Sequence, residues 1–119
     1  MAHPPIDWHA RAREIRVDGR AVIDGERRAA LGGETFACIS PINGQSVGEI
    51  ARGRQPDIDA AVTSARAAFE DSRWAHKPPA VRKRLLQRFA EKVLAAKEEL
   101  ALLETLDMGK PLQYALSVD

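Results

Sequence analysis

The side chains best suited to catalysis or metal binding in this sequence are one cysteine and three histidines. Cys38 stands in a β-prone apolar run, 35–39, where a cysteine is ordinarily a small packing residue. A nucleophilic cysteine needs a lowered pKa and a base beside it, and the run itself contains no base. His3, His9 and His76 are scattered, without the i, i+4 pairing that holds a metal on a helix. Taken alone, these residue types therefore predict no catalytic or metal centre.

A basic segment, 82–92, is the other candidate for chemistry, because clustered Arg and Lys side chains bind phosphates. Glu91, Glu98 and Glu99 dilute its charge along the same helical stretch, which favours a solvated helix face. The whole chain carries 18 Lys and Arg against 17 Asp and Glu, and aromatic residues are only 5%. Neither value is typical of a nucleic-acid-binding protein, so this class is disfavoured. No glycine-rich phosphate loop of either common type is present in the sequence.

Short strands separated by turns are predicted over residues 15–51. The apolar run 21–23 precedes Asp24-Gly25, which is a strong signal for a hairpin turn. A second strand is predicted at 35–39 and a third near 47–51. Three strands of this length bury little apolar surface alone, so helices must cover them.

Three helices are predicted after the strands, from apolar residues spaced three and four apart. The first opens with Asp57 as its N-cap, and the second begins near Pro79. The third runs from about Lys97 to Met108, where Gly109 gives a stop signal. Residues 113–119 begin a further helical pattern that is cut off, which suggests a piece of a longer protein.

Four segments of the chain resemble the aldehyde dehydrogenase superfamily. Residues 104–111, Glu-Thr-Leu-Asp-Met-Gly-Lys-Pro, resemble its E-T-x-D-x-G-K-P signature. Residues 22–26 resemble its first strand and turn, residues 61–69 its A-x-x-A-R-x-A-F helix, and Trp74 stands where the family has a tryptophan. Order and spacing agree over about residues 15–119. The resemblance is to bacterial dehydrogenases of γ-glutamylamino-butyraldehyde, which act in putrescine catabolism, and betaine aldehyde dehydrogenases look similar here.

The resemblance implies an α/β fold: the N-terminal part of an aldehyde dehydrogenase-like cofactor-binding domain, with short strands or hairpins followed by three helices. Residues 1–14 would be a flexible lead-in, and residues 15–119 an incomplete N-terminal portion of the NAD-binding domain. The complete enzyme would oxidise an aldehyde to a carboxylate with NAD or NADP. Its catalytic and nucleotide-binding residues are expected beyond residue 119, so none is assigned here. The 119-residue chain alone is therefore expected to bind no NAD and to be inactive. It is also expected to expose the apolar faces around Phe69, Leu85, Phe89 and Leu103, because most of their partner surface would be absent.

A monovalent cation, K⁺ or Na⁺, is also implied by the resemblance. Several family members hold one with main-chain carbonyls after the second strand and with the aspartate of the G-K-P signature. The matching positions in this sequence are Cys38, Ile39 and Asp107. Hard oxygen ligands suit such a cation. The alternative is that Asp107 caps or pairs locally near Gly109.

Other functions remain open on the sequence alone. The chain could be a free-standing helical interaction or adaptor module, which would pair with a full-length homologue, or a small nucleic-acid binder that uses 82–88. The single cysteine excludes an internal disulfide, and no signal peptide or membrane-spanning apolar run is present. These features predict a cytoplasmic location without a membrane partner. The complete enzyme is expected to be a homo-oligomer acting on a small-molecule aldehyde, without a nucleic-acid partner.

Overall fold

The computed structural model describes residues 6–117, which form two separate β-hairpins and five helices. The first hairpin pairs β1 (Ala21–Ile23) with β2 (Glu26–Arg28), and the second pairs β3 (Thr35–Ile39) with β4 (Ser46–Ala51). Asp24 and Gly25 have φ values of 55° and 76°, the left-handed pair that a tight hairpin turn requires. The predicted turn is confirmed, whereas β2 was not predicted, because Glu-Arg-Arg lacks apolar residues.

The predicted helices are confirmed, and one helix was not predicted. The five helices are α1 (Trp8–Glu14), α2 (Gln55–Glu70), α3 (Pro79–Ala95), α4 (Lys97–Met108) and α5 (Leu112–Ser117). Helix α1 lies inside the segment that the sequence predicts as a flexible lead-in. The Asp7 carboxylate accepts a hydrogen bond from the Ala10 N–H at 2.9 Å, which caps α1. Arg11 on α1 forms an ion pair with Glu98 on α4, so this helix is docked against the rest of the chain.

Asp57 joins helix α2 to the loop between the two hairpins. The sequence predicts Asp57 as the N-cap of α2, and this is wrong: the N-cap is Arg54, and Asp57 is the third residue of the helix. One carboxylate oxygen accepts a hydrogen bond from the Arg54 N–H at 2.9 Å, and the other accepts one from the Leu31 N–H at 2.8 Å. The side chain is buried, and these two main-chain donors hold the pKa of Asp57 below its ordinary value.

We expect Asp57→Ala to lower the melting temperature by roughly 5 °C, because it leaves the Arg54 and Leu31 N–H groups without acceptors. Circular dichroism melts measure the change. The matched control is Asp59→Ala, since within residues 6–117 the Asp59 carboxylate accepts a hydrogen bond only from the Gln55 side chain on its own helix. The difference in melting temperature between wild type and Asp57→Ala should become smaller as the pH falls below 3.8 and approaches the lowered pKa of Asp57. Equal losses in both variants would contradict the assignment.

The buried core is small for a chain of this length. Its buried apolar members are mostly small side chains: Ile23, Ala30, Ala101, Leu102 and Ala115. The radius of gyration is 18.1 Å, with extents of 48 × 41 × 20 Å, against about 13–14 Å for a compact domain of this length. The described part of the chain is therefore a thin layer. Within residues 6–117, no helix combines the length and apolar content needed to cross a membrane.

Most large apolar side chains remain uncovered, as the sequence predicts. Phe69 on α2 is 72% exposed, Phe89 on α3 is 65% exposed, and Leu85 is 39% exposed. Exposure of Leu103 was also predicted, and this was wrong. Leu103 is half-buried because α4 turns it toward the β3–β4 hairpin, where it lines a cavity of about 380 Å³ together with Ile50.

Candidate functional site

The end of strand β3 and the last turn of helix α4 meet at two side chains 69 positions apart. The Cys38 thiol donates a hydrogen bond to the Asp107 Oδ1 at 2.9 Å. Cys38 is half-buried and Asp107 is exposed. The structure thus brings together two of the three positions at which the resemblance places a cation, and Ile39 follows Cys38 directly in β3.

Helix α4 places Asp107 there by burying Ala101 and Leu102 and ending at Gly109. Gly109 has a φ of 76°, and a Cβ built on it would lie 3.1 Å from the Pro41 Cγ. A side chain at this position would thus combine left-handed strain with crowding. The predicted glycine stop is confirmed, and it sets the end of α4 against the turn that follows β3.

The pairing of β3 with β4 shifts register beside Cys38, the residue whose thiol contacts Asp107. Cys38 pairs with Gly48 in β4, but Ile39 pairs with Ser46, so the register shifts between Cys38 and Ile39. A bulge of this kind interrupts the regular ladder of main-chain hydrogen bonds. Ile39 is 53% exposed, so this part of the strand is open to solvent. Main-chain oxygens and one carboxylate are hard donors that suit a monovalent cation.

Cys38 does not have the environment of a catalytic nucleophile. The hydrogen bond to Asp107 raises the pKa of its thiol, and burial and the negative charge of Asp107 raise it further. A nucleophilic cysteine needs the opposite shift, toward the thiolate. Cys38 was predicted to be a packing residue. It is only half-buried, and its thiol also makes a hydrogen bond to Asp107.

The remaining chemistry-bearing residues do not converge. His9 and His76 are exposed, and His3 lies outside the described residues. The described chain holds no group of three His, Cys, Asp or Glu side chains that could bind a metal ion. Glu104 and Lys110 of the signature are half-buried and form an ion pair at 3.3 Å. This contact gives them a packing role.

One pattern that the sequence contains was not singled out. Gly44, Ser46 and Gly48 give G-x-S-x-G, the spacing of a hydrolase nucleophile elbow. That motif needs a sharp turn from a strand into a helix, but Ser46 opens strand β4 after a strand-to-strand turn. Its hydroxyl donates to the Gly48 carbonyl at 3.3 Å. The pattern is therefore incidental to the β3–β4 hairpin.

Arg82 differs from the other basic residues of its segment. Its Nε is shielded from solvent and lacks a hydrogen-bond partner among the described residues. Trp74 and Leu86 line the same shallow cleft. The sequence predicts a solvated helix face for Arg82. Only its nearness to Trp74 in the sequence could have suggested that part of its side chain is shielded.

The chain matches one known protein family over most of its length. The model of the aldehyde dehydrogenase family matches residues 28–119, which include both hairpin β3–β4 and the signature that carries Asp107. The chain belongs to the aldehyde dehydrogenase family. The predicted family and the α/β fold of its N-terminal cofactor-binding region are thereby confirmed.

Curated members of the aldehyde dehydrogenase family match almost the whole chain. The NADP/NAD-dependent aldehyde dehydrogenase PuuC of Escherichia coli (strain K12) is 42% identical over 94% of this chain and 23% of its own length. The aminoacetaldehyde dehydrogenase of Pseudomonas aeruginosa is also 42% identical, over 95% of this chain and 23% of its length. The chain thus spans about a quarter of the length of these relatives.

Solved structures of aldehyde dehydrogenases share the fold. The γ-glutamyl-γ-aminobutyraldehyde dehydrogenase of Burkholderia cenocepacia superposes with a TM-score of 0.93 at 44% identity, over 95% of this chain and 23% of that one. An indole-3-acetaldehyde dehydrogenase solved with NAD⁺ superposes with a TM-score of 0.92 at 49% identity, with the same coverage. The layer seen here is therefore the arrangement that this region adopts in much longer enzymes.

Proposed function

We propose that this chain is the N-terminal portion of an NAD(P)-dependent aldehyde dehydrogenase that oxidises an aldehyde to a carboxylate. Residues 15–119 would form an incomplete portion of the NAD-binding domain, with residues 1–14 as its lead-in. The observation that carries the proposal is a superposition over 95% of this chain that covers only 23% of the solved enzyme. The thin core and the open apolar faces support it, because they suit a layer that other parts of an enzyme cover.

This portion would have a structural role in the NAD-binding domain, and catalysis would be performed by residues outside it. Its one thiol is held toward the protonated form by Asp107, so it would not compete with a catalytic cysteine. We further propose a small-molecule aldehyde as the substrate, with γ-glutamyl-γ-aminobutyraldehyde from putrescine catabolism as the first candidate and indole-3-acetaldehyde as the second, since the dehydrogenases of these aldehydes are 44% and 49% identical. A cytoplasmic homo-oligomer without a nucleic-acid or membrane partner completes this proposal.

A monovalent cation would bind between Cys38, Ile39 and Asp107. The residues present fit it, because a carboxylate oxygen lies against the end of β3, where the pairing with β4 shifts register between Cys38 and Ile39. When bound, K⁺ or Na⁺ would neutralise the carboxylate and tie α4 to β3. Asp107 would supply the charged ligand, and the main chain of Cys38 and Ile39 the neutral ones.

A chimera tests the proposed function. The matching segment of the Burkholderia cenocepacia enzyme is replaced by this chain, and NADH formation is followed with γ-glutamyl-γ-aminobutyraldehyde. We expect kcat/KM within about tenfold of the parent, because the parent supplies the reacting groups and this chain supplies their support. The control is the same enzyme with the segment deleted, which should be inactive. A folded chimera without activity would contradict the proposal.

A further inference from the structure

Helix α3 carries a concentration of unpaired positive charge. Between Pro79 and Ala95 it has five basic residues and one acidic residue. Across residues 6–117 the side chains of all five lack an ion pair or hydrogen bond, and they are Arg82, Lys83, Arg84, Arg88 and Lys92. By contrast, Arg27 and Arg28 of strand β2 both have carboxylate partners. The positive surface of α3 is therefore left open for something outside the described chain.

Arg82 is the point of this surface where an acceptor is needed most. Its Nε is out of contact with solvent but meets no acceptor within the described part of the chain. A guanidinium donor shielded in this way costs free energy unless an acceptor completes it. Native proteins pair nearly all buried polar groups, so an orphan of this kind marks an acceptor supplied from elsewhere.

The surroundings of Arg82 indicate the chemistry of that acceptor. Trp74, Pro79 and Leu86 form apolar walls of the cleft, and Lys83 adds a second positive charge at its edge. A carboxylate matches the planar guanidinium and the local charge. Apolar residues next to the carboxylate would cover Leu86, which is 57% exposed. The cleft thus fits a protein segment with an Asp or Glu flanked by apolar side chains.

We propose that this cleft, formed by Trp74, Pro79, Arg82, Lys83 and Leu86, docks a carboxylate-bearing segment of the aldehyde dehydrogenase that lies outside these 119 residues. The proposal rests on the proposed function. The relatives are about four times as long as this chain, so most of their surface is available to cover α3. A second copy is a poorer occupant, since it brings the same basic helix. A nucleic acid is poorer too, because phosphates would leave the apolar walls uncovered.

The docking site is tested by the effect of one substitution on stability, measured in the isolated chain and in the chimera. In the 119-residue chain alone, Arg82→Met should leave the melting temperature unchanged or raise it, because the Nε loses no partner there. In the active chimera, the same variant should shorten the half-life of activity at a fixed temperature about tenfold, because a buried carboxylate would lose its partner. The matched control is Arg84→Met on the exposed side of α3, with less than about a twofold change.

A crosslinking experiment identifies the segment directly. A benzophenone side chain in place of Gln87, which lines the cleft, should crosslink in the chimera to a segment of the same polypeptide that contains Asp or Glu. Crosslinks to a second copy would overturn the proposal, as would equal effects of Arg82→Met and Arg84→Met. Tight, salt-sensitive binding of a single-stranded DNA that is lost in Arg82→Met would assign the surface to nucleic acid instead. A folded but inactive chimera would contradict the proposed function, and the crosslink from position 87, which needs no activity, would then still test the docking site.

Discussion

The 119-residue chain alone is expected to reduce no NAD when an aldehyde is supplied. Oxidation by this family's chemistry needs a thiolate, and Cys38 is the only thiol in the chain. Asp107 accepts a hydrogen bond from the Cys38 thiol and raises the pKa of that thiol. Less thiolate is therefore present than in an ordinary cysteine at the same pH. The sequence also lacks a glycine-rich loop for the dinucleotide phosphates. Absorbance of NADH, followed from neutral to alkaline pH, measures the result.

The control for this prediction separates a reactive thiol from a catalytic one. Asp107→Asn removes the carboxylate that raises the pKa of Cys38, so alkylation of Cys38 by iodoacetamide near neutral pH should become faster. NADH formation should stay at background in this variant as well, because we expect the nucleotide-binding residues to lie outside these 119 residues. Aldehyde-dependent turnover that rises together with the alkylation rate would show that Cys38 is catalytic, and it would contradict the proposed supporting role.

Elements with local signals were predicted well from the sequence. Helix α4 runs from Lys97 to Met108, as its apolar spacing and Gly109 predict, because the helix and its stop depend on residues a few positions apart. The Asp24-Gly25 turn is equally local. Helix α1 and strand β2 are different. Each is short, and contacts from outside the segment support each of them, such as the ion pair between Arg11 and Glu98.

The position of Asp57 shows the limit of local interpretation. An aspartate just before an apolar helical face is an ordinary N-cap signal. Asp57, however, lies three residues after the N-cap Arg54, and its carboxylate accepts hydrogen bonds from the Arg54 and Leu31 N–H groups. The second donor, Leu31, is 26 positions away and carries no sequence signal of its own. Long-range polar contacts of this kind depend on how the elements pack, which residue spacing does not specify.

The candidate site shows the same limit more strongly. Cys38 and Asp107 are 69 positions apart, and only the resemblance to a family placed them together. Composition and periodicity placed Cys38 among packing residues and left Asp107 with a local role near Gly109. Arg82 was not singled out either, because five basic residues on one helix predict a solvated face, and residue spacing does not show that one Nε is shielded within a cleft.

The second large effect concerns the state of the chain in solution. We expect the isolated 119-residue chain to self-associate as its concentration rises and to bind the dye ANS, because wide apolar faces are open on α2 and α3. Phe69→Ser together with Phe89→Ser should lower both signals markedly. These side chains are 72% and 65% exposed, so the far-ultraviolet circular dichroism should hardly change. Sedimentation velocity over a range of concentrations measures the association.

Leu102→Ala is the control, because it removes an apolar side chain from the buried side of the layer. Leu102 is 5% exposed, and truncating a core leucine costs about 2–5 kcal/mol, which is a large part of the stability of a domain with so few buried residues. This variant should lose helical signal and bind more dye, the reverse of the phenylalanine variant. A wild type that stays monomeric at high concentration and binds no dye would contradict the proposal that this layer depends on a larger enzyme, since it would show that the exposed faces of α2 and α3 need no cover.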